Sequence, residues 1–298
     1  MNPEKFVLVT GCPRSGTTVV GELLSLALNS YYLYEPMNAL SGDTIFKNYF
    51  AIPGDETFPE PVARDFLNRM QKLNLRLQSG LWPHEKGWIR FRKQLIGGRS
   101  RVSLRLCKLH PFLKTVIWKD PFAFFAIPFI LEHTDFPVVI THRPIEGIAA
   151  SFKRFGWGFD LRDLVKRMND PSLPKIPADL DLSNSVVNAA VLWCIMDAKA
   201  QEYQKSGRVK IIEIDDLIAD PLASTEGLYQ HCGLPLTDKL HRKVEARYSK
   251  DTDDKVPTHN TAHVRKRNIK AVNSYWKKVL DDDELAAIER VKGMFQEI

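Results

Sequence analysis

The stretch "FVLVTGCPRSGTT", residues 6–18, decides how the rest of the chain is read. Phe6 to Val9 form an unbroken apolar run, the pattern of a short strand buried on both faces. Gly11 and Gly16 stand at the G-x-x-x-x-G spacing of a loop that gathers main-chain N–H groups around one point. The following "TTVVGELLSLAL" carries Val20, Leu23, Leu24 and Ala27 at helical spacing. A helix start adds partial positive charge at the same point. The loop therefore predicts a phosphate-bearing ligand held by Arg14, Ser15, Gly16, Thr17 and Thr18. In a nucleotide kinase a lysine follows the second glycine and neutralises the terminal phosphates, beside a hydroxyl that holds Mg²⁺. Thr17 occupies that place here, and the nearest cation is Arg14, inside the loop. A sulfuryl group carries one negative charge where a terminal phosphoryl carries nearly two. A loop with one arginine, hydroxyls and amides suits the lower charge, without a metal.

Working outward, four further runs read as strands: "YYLYEP" (31–36), "TVIWKDP" (115–121), "FPVVITHRP" (136–144) and "VKIIEIDDL" (209–217). Helical patterns fall at 122–132, 144–155, 183–204 and 221–231, several of them opened by proline at the first turn. This alternation predicts an α/β fold of the P-loop type, three layers with a central parallel β-sheet flanked by helices. No linker-like tract or internal repeat divides residues 1–298, which read as a single domain. Residues 156–182 are loop-like and punctuated by proline, a candidate substrate lid or a long connection.

The net charge of +6 is local. Residues 81–114 hold nine Lys/Arg and one Glu, while the rest of the chain holds 33 cations against 35 anions. This basic segment points to an anionic ligand, an acidic acceptor or peripheral contact with a membrane surface; the alternative is a solvated, salt-bridged insert. It carries no nucleic-acid fold signature, so no nucleic-acid partner is expected. The longest apolar segment, "AFFAIPFIL", is too short to span a bilayer. Cys12, Cys107, Cys194 and Cys232 form no C-x-x-C pair. Together these predict a soluble, cytoplasmic protein.

Arg143 ends the run "VVITHR", where parallel sheets bind ligands, and its planar fork suits a phosphate. Ser151, eight residues on in the next helix, can add a hydrogen bond. The other reading of this pair is a structural Arg–carboxylate bridge and an ordinary helical serine. Glu35 ends the strand "YYLY", also at the ligand-binding edge. His110 and His142 are rival proton acceptors. His259 and His263, four residues apart, lack a third ligand nearby in sequence and predict no metal site.

"PRSGTT" and the helix after it resemble the 5′-phosphosulfate loop of sulfotransferases that use 3′-phosphoadenosine 5′-phosphosulfate (PAPS). "VVITHRPIEGIAASFKRFG" resembles the family's 3′-phosphate motif, with Arg143 and Ser151 in its two places. "WKDP" (118–121) and "IIEIDDLIADPLASTEGLYQHCGLPL" are similar to further segments of that family, although Ile214 stands where many relatives have tyrosine. "GELLSLALNSYYLYEPMNAL" is similar to the segment after the loop in carbohydrate sulfotransferases. The resemblance implies Glu35 as general base and Arg14, Thr17 and Thr18 as the groups holding the phosphosulfate. It also implies PAPS as co-substrate, its desulfated form PAP as product, and a hydroxyl acceptor on a carbohydrate or glycolipid. Lys119 then steadies the leaving oxygen or the acceptor, unless it is simply solvated beside Asp120. "HVRKRNIKAVNSYWKK" (263–278) resembles the family's nucleotide-covering C-terminal segment. The rival reading is a P-loop phosphotransferase with a degenerate loop, in which Asp120 or Asp215 would hold Mg²⁺.

Overall fold

The computed structural model describes residues 3–80, 87, 91, 93, 97–248 and 274–296. Its centre is a sheet of five parallel strands, β1 (Lys5–Gly11), β2 (Ser30–Tyr34), β3 (Thr115–Lys119), β4 (Val138–His142) and β5 (Val209–Glu213). The order across the sheet is β2-β3-β1-β4-β5. All five predicted strands are present. Their register aligns the carboxyl ends, with Tyr34 opposite Lys119, Gly11 opposite Thr141, and His142 opposite Glu213. The chain leaves central β1 toward β2 and reaches the other half of the sheet only after β3. The carboxyl end of β1 is thus the switch point, where ligands bind in open α/β sheets.

Alternation along the strands produces the three layers. Phe6, Leu8, Val116, Trp118, Val138 and Ile140 face one apolar cluster. That cluster is built with α2 (Glu60–Gln71), α3 (Arg99–Leu109), α4 (Ile127–His133), α5 (Ile145–Phe155), α6 (Leu161–Met168), α7 (Ser185–Gln204) and α11 (Asp282–Gln296). Val7, Val9, Ile117, Val139 and Ile212 face the other, packed by α1 (Thr17–Leu24), α8 (Ile214–Ala219), α9 (Pro221–His231) and α10 (Asp238–Tyr248). Among the described residues no helix is long and apolar enough to cross a membrane. The four cysteines are free and buried.

Two expectations need correction. The predicted helix 122–132 is a 3-10 turn over Pro121–Ala126 running into α4, because Asp120 caps it by accepting the N–H of Phe122 at 3.0 Å. The segment 156–182 is not all loop: α6 occupies its first half, capped by Asp160, which accepts from the N–H of Asp163. Its Arg167 reaches Asp55 at 3.1 Å and the carbonyl of Phe50 at 3.1 Å, which ties the helix to the body. Within the basic segment, residues 99–109 form α3 against the edge strand β2, while most of 81–96 lies outside the described residues.

The loop-bearing helix α1 is anchored at its far end. Tyr229 of α9 donates its buried hydroxyl to the carbonyl of Leu23 at 3.0 Å, which also accepts the N–H of Leu26 at 3.1 Å. Replacing Tyr229 with Phe should cost about 1 kcal/mol, the net worth of one hydrogen bond, since the carbonyl keeps its main-chain donor. Urea unfolding measures this, and an unchanged midpoint would show that the anchor contributes nothing.

Candidate active site

The turn after β1 is a cradle built on unusual backbone. Gly16 caps α1 at φ 96°, and no side chain caps the helix. A β-carbon on Gly16 would lie 2.5 Å from Ile214, so the loop is closed from β5's side by an apolar contact. Thr17 is buried and Thr18 half-buried in the first turn, where main-chain N–H groups have no intrahelical acceptor. Ser15 faces inward: its hydroxyl lies 2.6 Å from that of Thr141 on β4, and its N–H donates to the carbonyl of Cys12 at 2.9 Å. Ser15 therefore shapes the loop, and its side chain is not presented to a ligand.

Arg14 adopts φ 77°, a left-handed conformation that a non-glycine residue keeps only when its surroundings enforce it. Its guanidinium rests over the rings of Phe155 and Trp157, 5.1 and 5.8 Å from their centroids. Arg143, at the end of β4, donates from Nη1 to the carbonyl of Arg14 at 3.3 Å. Its guanidinium lies over the first turn of α5, where a β-carbon on Gly147 would come within 2.6 Å of its Nε. Trp193 of α7 fixes Arg143 from behind, donating its indole N–H to the Arg143 carbonyl at 2.9 Å. Burial, with Arg14 and Arg154 nearby, pulls Arg143 down to about 10 despite the opposing charge of Asp215. Ser151 sits one turn beyond Gly147 and donates its hydroxyl to the Gly147 carbonyl at 3.1 Å. Arg143 thus ties the loop to the first turn of α5, some 130 residues on in sequence, and Ser151 stands one turn further along that helix.

Glu35 lies across the sheet and is also left-handed, at φ 44°. It is not beside β1: β2 is the outer strand, and β3 stands between them. The gap is filled by Lys119 at the end of β3, whose ammonium pairs with Glu35 Oε1. Asn38 donates to Oε2 at 2.8 Å. Both charged partners are almost fully buried, so Lys119 is no solvated neighbour of Asp120, as its sequence context suggests. Asp120 points inward instead. It accepts the N–H of Met37 at 2.6 Å and that of Phe122, which pins the turn carrying Glu35. Burial and then the charge of Glu35 push the Asp120 carboxyl up to about 7. A carboxylate so enclosed and committed to two amides is not available to hold Mg²⁺.

Between Arg14 and Glu35 runs a wall of aromatic rings. Phe155, Trp157 and Phe159 alternate in "FGWGF", which extends from the left-handed end of α5 at Gly156. Trp157 meets Phe152 at 6.0 Å, Phe152 meets Phe159 at 5.9 Å, and Phe159 meets Tyr49 at 5.3 Å between centroids. Buried Asn188 holds the strip by exchanging hydrogen bonds with the main chain of Phe159 at 3.0 and 2.8 Å. Tyr49 is close enough to Glu35 for that charge to add to burial in raising its phenol. Sequence reading passed over this wall; the alternation of rings with glycines was its one signal.

Neither rival histidine suits a base. His110 lies beside Tyr31 at the amino ends of the strands, away from the loop. His142 is held 2.7 Å from Glu213 and 3.1 Å from Asp197. Burial alone would lower it, but the two carboxylates outweigh burial and raise it to about 9. A group already protonated at neutral pH cannot accept the acceptor's proton. His259 and His263 lie outside the described residues, as does most of the 263–278 run. Tyr275 of that run lies beneath Arg154, 5.9 Å from its guanidinium carbon. Among the described residues no cluster of three metal-ligating side chains occurs. The stability that protonated His142 supplies is complete below about pH 6.5, its ordinary value, and is lost as pH rises through about 9. An NMR titration of the His142 ring should give a midpoint near 9; a midpoint near the ordinary value would contradict the pairing.

Residues 7–238 match the Sulfotransferase family, a span that takes in the loop, Glu35, Lys119, Arg143 and Ser151. No curated protein matches the chain. Among solved structures, the sulfotransferase domain of the Synechococcus PCC 7002 olefin synthase is 14% identical, over 97% of this chain and 94% of that one, with TM-score 0.44. The sulfotransferase domain of the curacin biosynthetic pathway is 13% identical, over 99% and 98%, with TM-score 0.45. The sulfotransferase STF1 from Mycobacterium tuberculosis is 17% identical, over 100% and 78%, with TM-score 0.43. With more than half its length matched to the family, and the matched span holding both ends of the site, the chain belongs to the sulfotransferases.

Proposed function

We propose that the chain moves a sulfuryl group from PAPS to a hydroxyl of a carbohydrate or glycolipid, with Glu35 as general base. The observation that carries this reading is the meeting of two anion sites at one sheet edge. One is the uncapped start of α1 with Thr17 and Thr18; the other is the guanidinium of Arg143 between Arg14 and Arg154. Two such sites suit a nucleotide with phosphate at both the 5′ and 3′ positions. Arg143 and Ser151 would take the 3′-phosphate, while Arg14, the main chain at Gly16, and Thr17 and Thr18 would take the phosphosulfate.

Once bound, the donor supplies a sulfuryl group with a phosphate as leaving group. Glu35 accepts the acceptor's proton as the acceptor oxygen bonds to sulfur and the bridging S–O bond to phosphate breaks. Lys119 and Asn38 hold the two carboxylate oxygens and so fix the direction of proton transfer. Lys119 also brings positive charge toward the bridging oxygen as it departs. Tyr49, beside Glu35 and packed edge-on against Phe159, offers an apolar ring to a sugar's C–H groups. The reading calls for no metal ion, since one transferred negative charge is within reach of the arginines and amides. The phosphotransferase alternative loses its better Mg²⁺ ligand with the inward turn of Asp120.

Glu35→Gln keeps the shape and hydrogen-bonding reach of the side chain. With saturating PAPS and an acceptor found in a panel of phenols and saccharides, it should lower kcat about 100-fold or more. Its affinity for adenosine 3′,5′-bisphosphate should be unchanged by calorimetry. Retained turnover would remove Glu35 from the chemistry, and turnover with Mg²⁺-ATP but not PAPS would return the chain to the phosphotransferases.

A further inference from the structure

Helix α3 carries apolar side chains on both its inner and its outer face. Its inner face, against edge strand β2, carries Ser100, Ser103, Leu104 and Cys107, all buried. The serines face inward because an edge strand presents unpaired main-chain groups. Ser103 Oγ accepts the N–H of Tyr34 at 3.0 Å, and Ser100 donates to the hydroxyl of Ser41 at 3.2 Å. The outer face carries Leu106 and Leu109, 41% and 76% exposed. Phe112, just beyond the helix, is 69% exposed, and Leu28 in the α1–β2 turn is 73% exposed. Leu28 belongs to the same patch, because the carbonyl of its neighbour Asn29 accepts the N–H groups of Lys114 and Thr115. Half of the large apolar side chains exposed among the described residues gather at this corner.

The same corner is cationic. Residues 97–114 contain five cations and no carboxylate; Arg99 turns to the Tyr34 ring, Arg101 to the Leu77 carbonyl, and Lys114 lies 3.7 Å from Glu4, which leaves Arg105 and Lys108 on the outer face. Arg105 and Lys108 are exposed between the outward leucines. Apolar side chains at helical spacing, interleaved with cations and followed by an aromatic ring, form the pattern of a helix lying in a membrane interface. The opposite charge of an anionic lipid surface complements it, with each cation near the surface adding to the attraction. We propose that the outer face of α3, with Leu106, Leu109, Phe112 and Leu28 as its apolar contacts and Lys108 among its cations, docks the protein on an anionic bilayer surface. These side chains belong neither to the loop nor to the Glu35–Lys119 pair, so docking stands independently of the sulfuryl-transfer reading.

The test is sedimentation of the full chain with vesicles of phosphatidylcholine alone and of phosphatidylcholine mixed with phosphatidylglycerol. Binding to the mixed vesicles only, weakened by added salt, is expected. The double variant Leu109→Ser, Phe112→Ser and the single variant Lys108→Glu should each reduce that binding at least tenfold. These positions are exposed, so melting curves should match the parent and separate loss of binding from loss of fold. Equal binding to both vesicle types, or binding untouched by the variants, would overturn the proposal. So would self-association of the parent that the double variant abolishes without any vesicle binding, which would give the face to a second copy of the chain.

Discussion

Arg143 is 6% exposed, and its guanidinium stands among Arg14, Arg154 and the opposing charge of Asp215. The rest of the site is arranged around that constraint. The main chain of Arg143 is fixed by Trp193, its fork is seated over Gly147, and its Nη1 reaches the carbonyl of Arg14 in the loop. Three separate elements are thereby fastened at the carboxyl ends of β1 and β4. Two arginines against the one carboxylate of Asp215 leave the Arg143 guanidinium in a net positive surrounding, the basis on which the proposed function assigns it an anion. In the proposed function the turn at residues 11–18 would act on the same principle, with amides in place of charges.

A buried ionic pair sets the opposite end of the site. Lys119 and Glu35 neutralise each other across the gap between β3 and β2, and Asp120 fixes the turn by its two amide bonds. Such a pair is poor evidence for stability, because desolvation consumes much of its attraction. Its value lies in position: it holds a carboxylate, with its second lone pairs, at the edge of an aromatic wall and across from the phosphate loop.

Much of this was legible in the sequence, for identifiable reasons. Gly11 and Gly16 mark the loop because their positive φ values, 141° and 96°, are open mainly to glycine. The five strands are short apolar runs that end in proline, glycine or charge, and Glu35 and Arg143 are found by standing at those ends. What sequence hides is what depends on strand order. Lys119 beside Asp120 reads as a solvated pair until β3 is inserted between β1 and β2, which buries one against Glu35 and turns the other inward. Ser15 looks like a ligand donor until β4 brings Thr141 against it. Helix α6 follows the glycines of "FGWGF", and its cap Asp160 with Leu161, Leu164, Val165 and Met168 was the signal passed over. The inward serines of α3 follow from the edge strand it covers, which no local pattern reveals.

The central claim is that one nucleotide is held at both ends, by the amides around residues 14–18 and by the fork of Arg143. Calorimetric titration with adenosine 3′,5′-bisphosphate and with adenosine 5′-monophosphate, on the parent and on Arg143→Gln, tests it most directly. The account predicts that the bisphosphate binds the parent at least about tenfold more tightly, a difference of about 1.4 kcal/mol, and that Arg143→Gln removes the preference. Equal affinity of the parent for the two nucleotides, or a preference that survives the loss of Arg143, would contradict it.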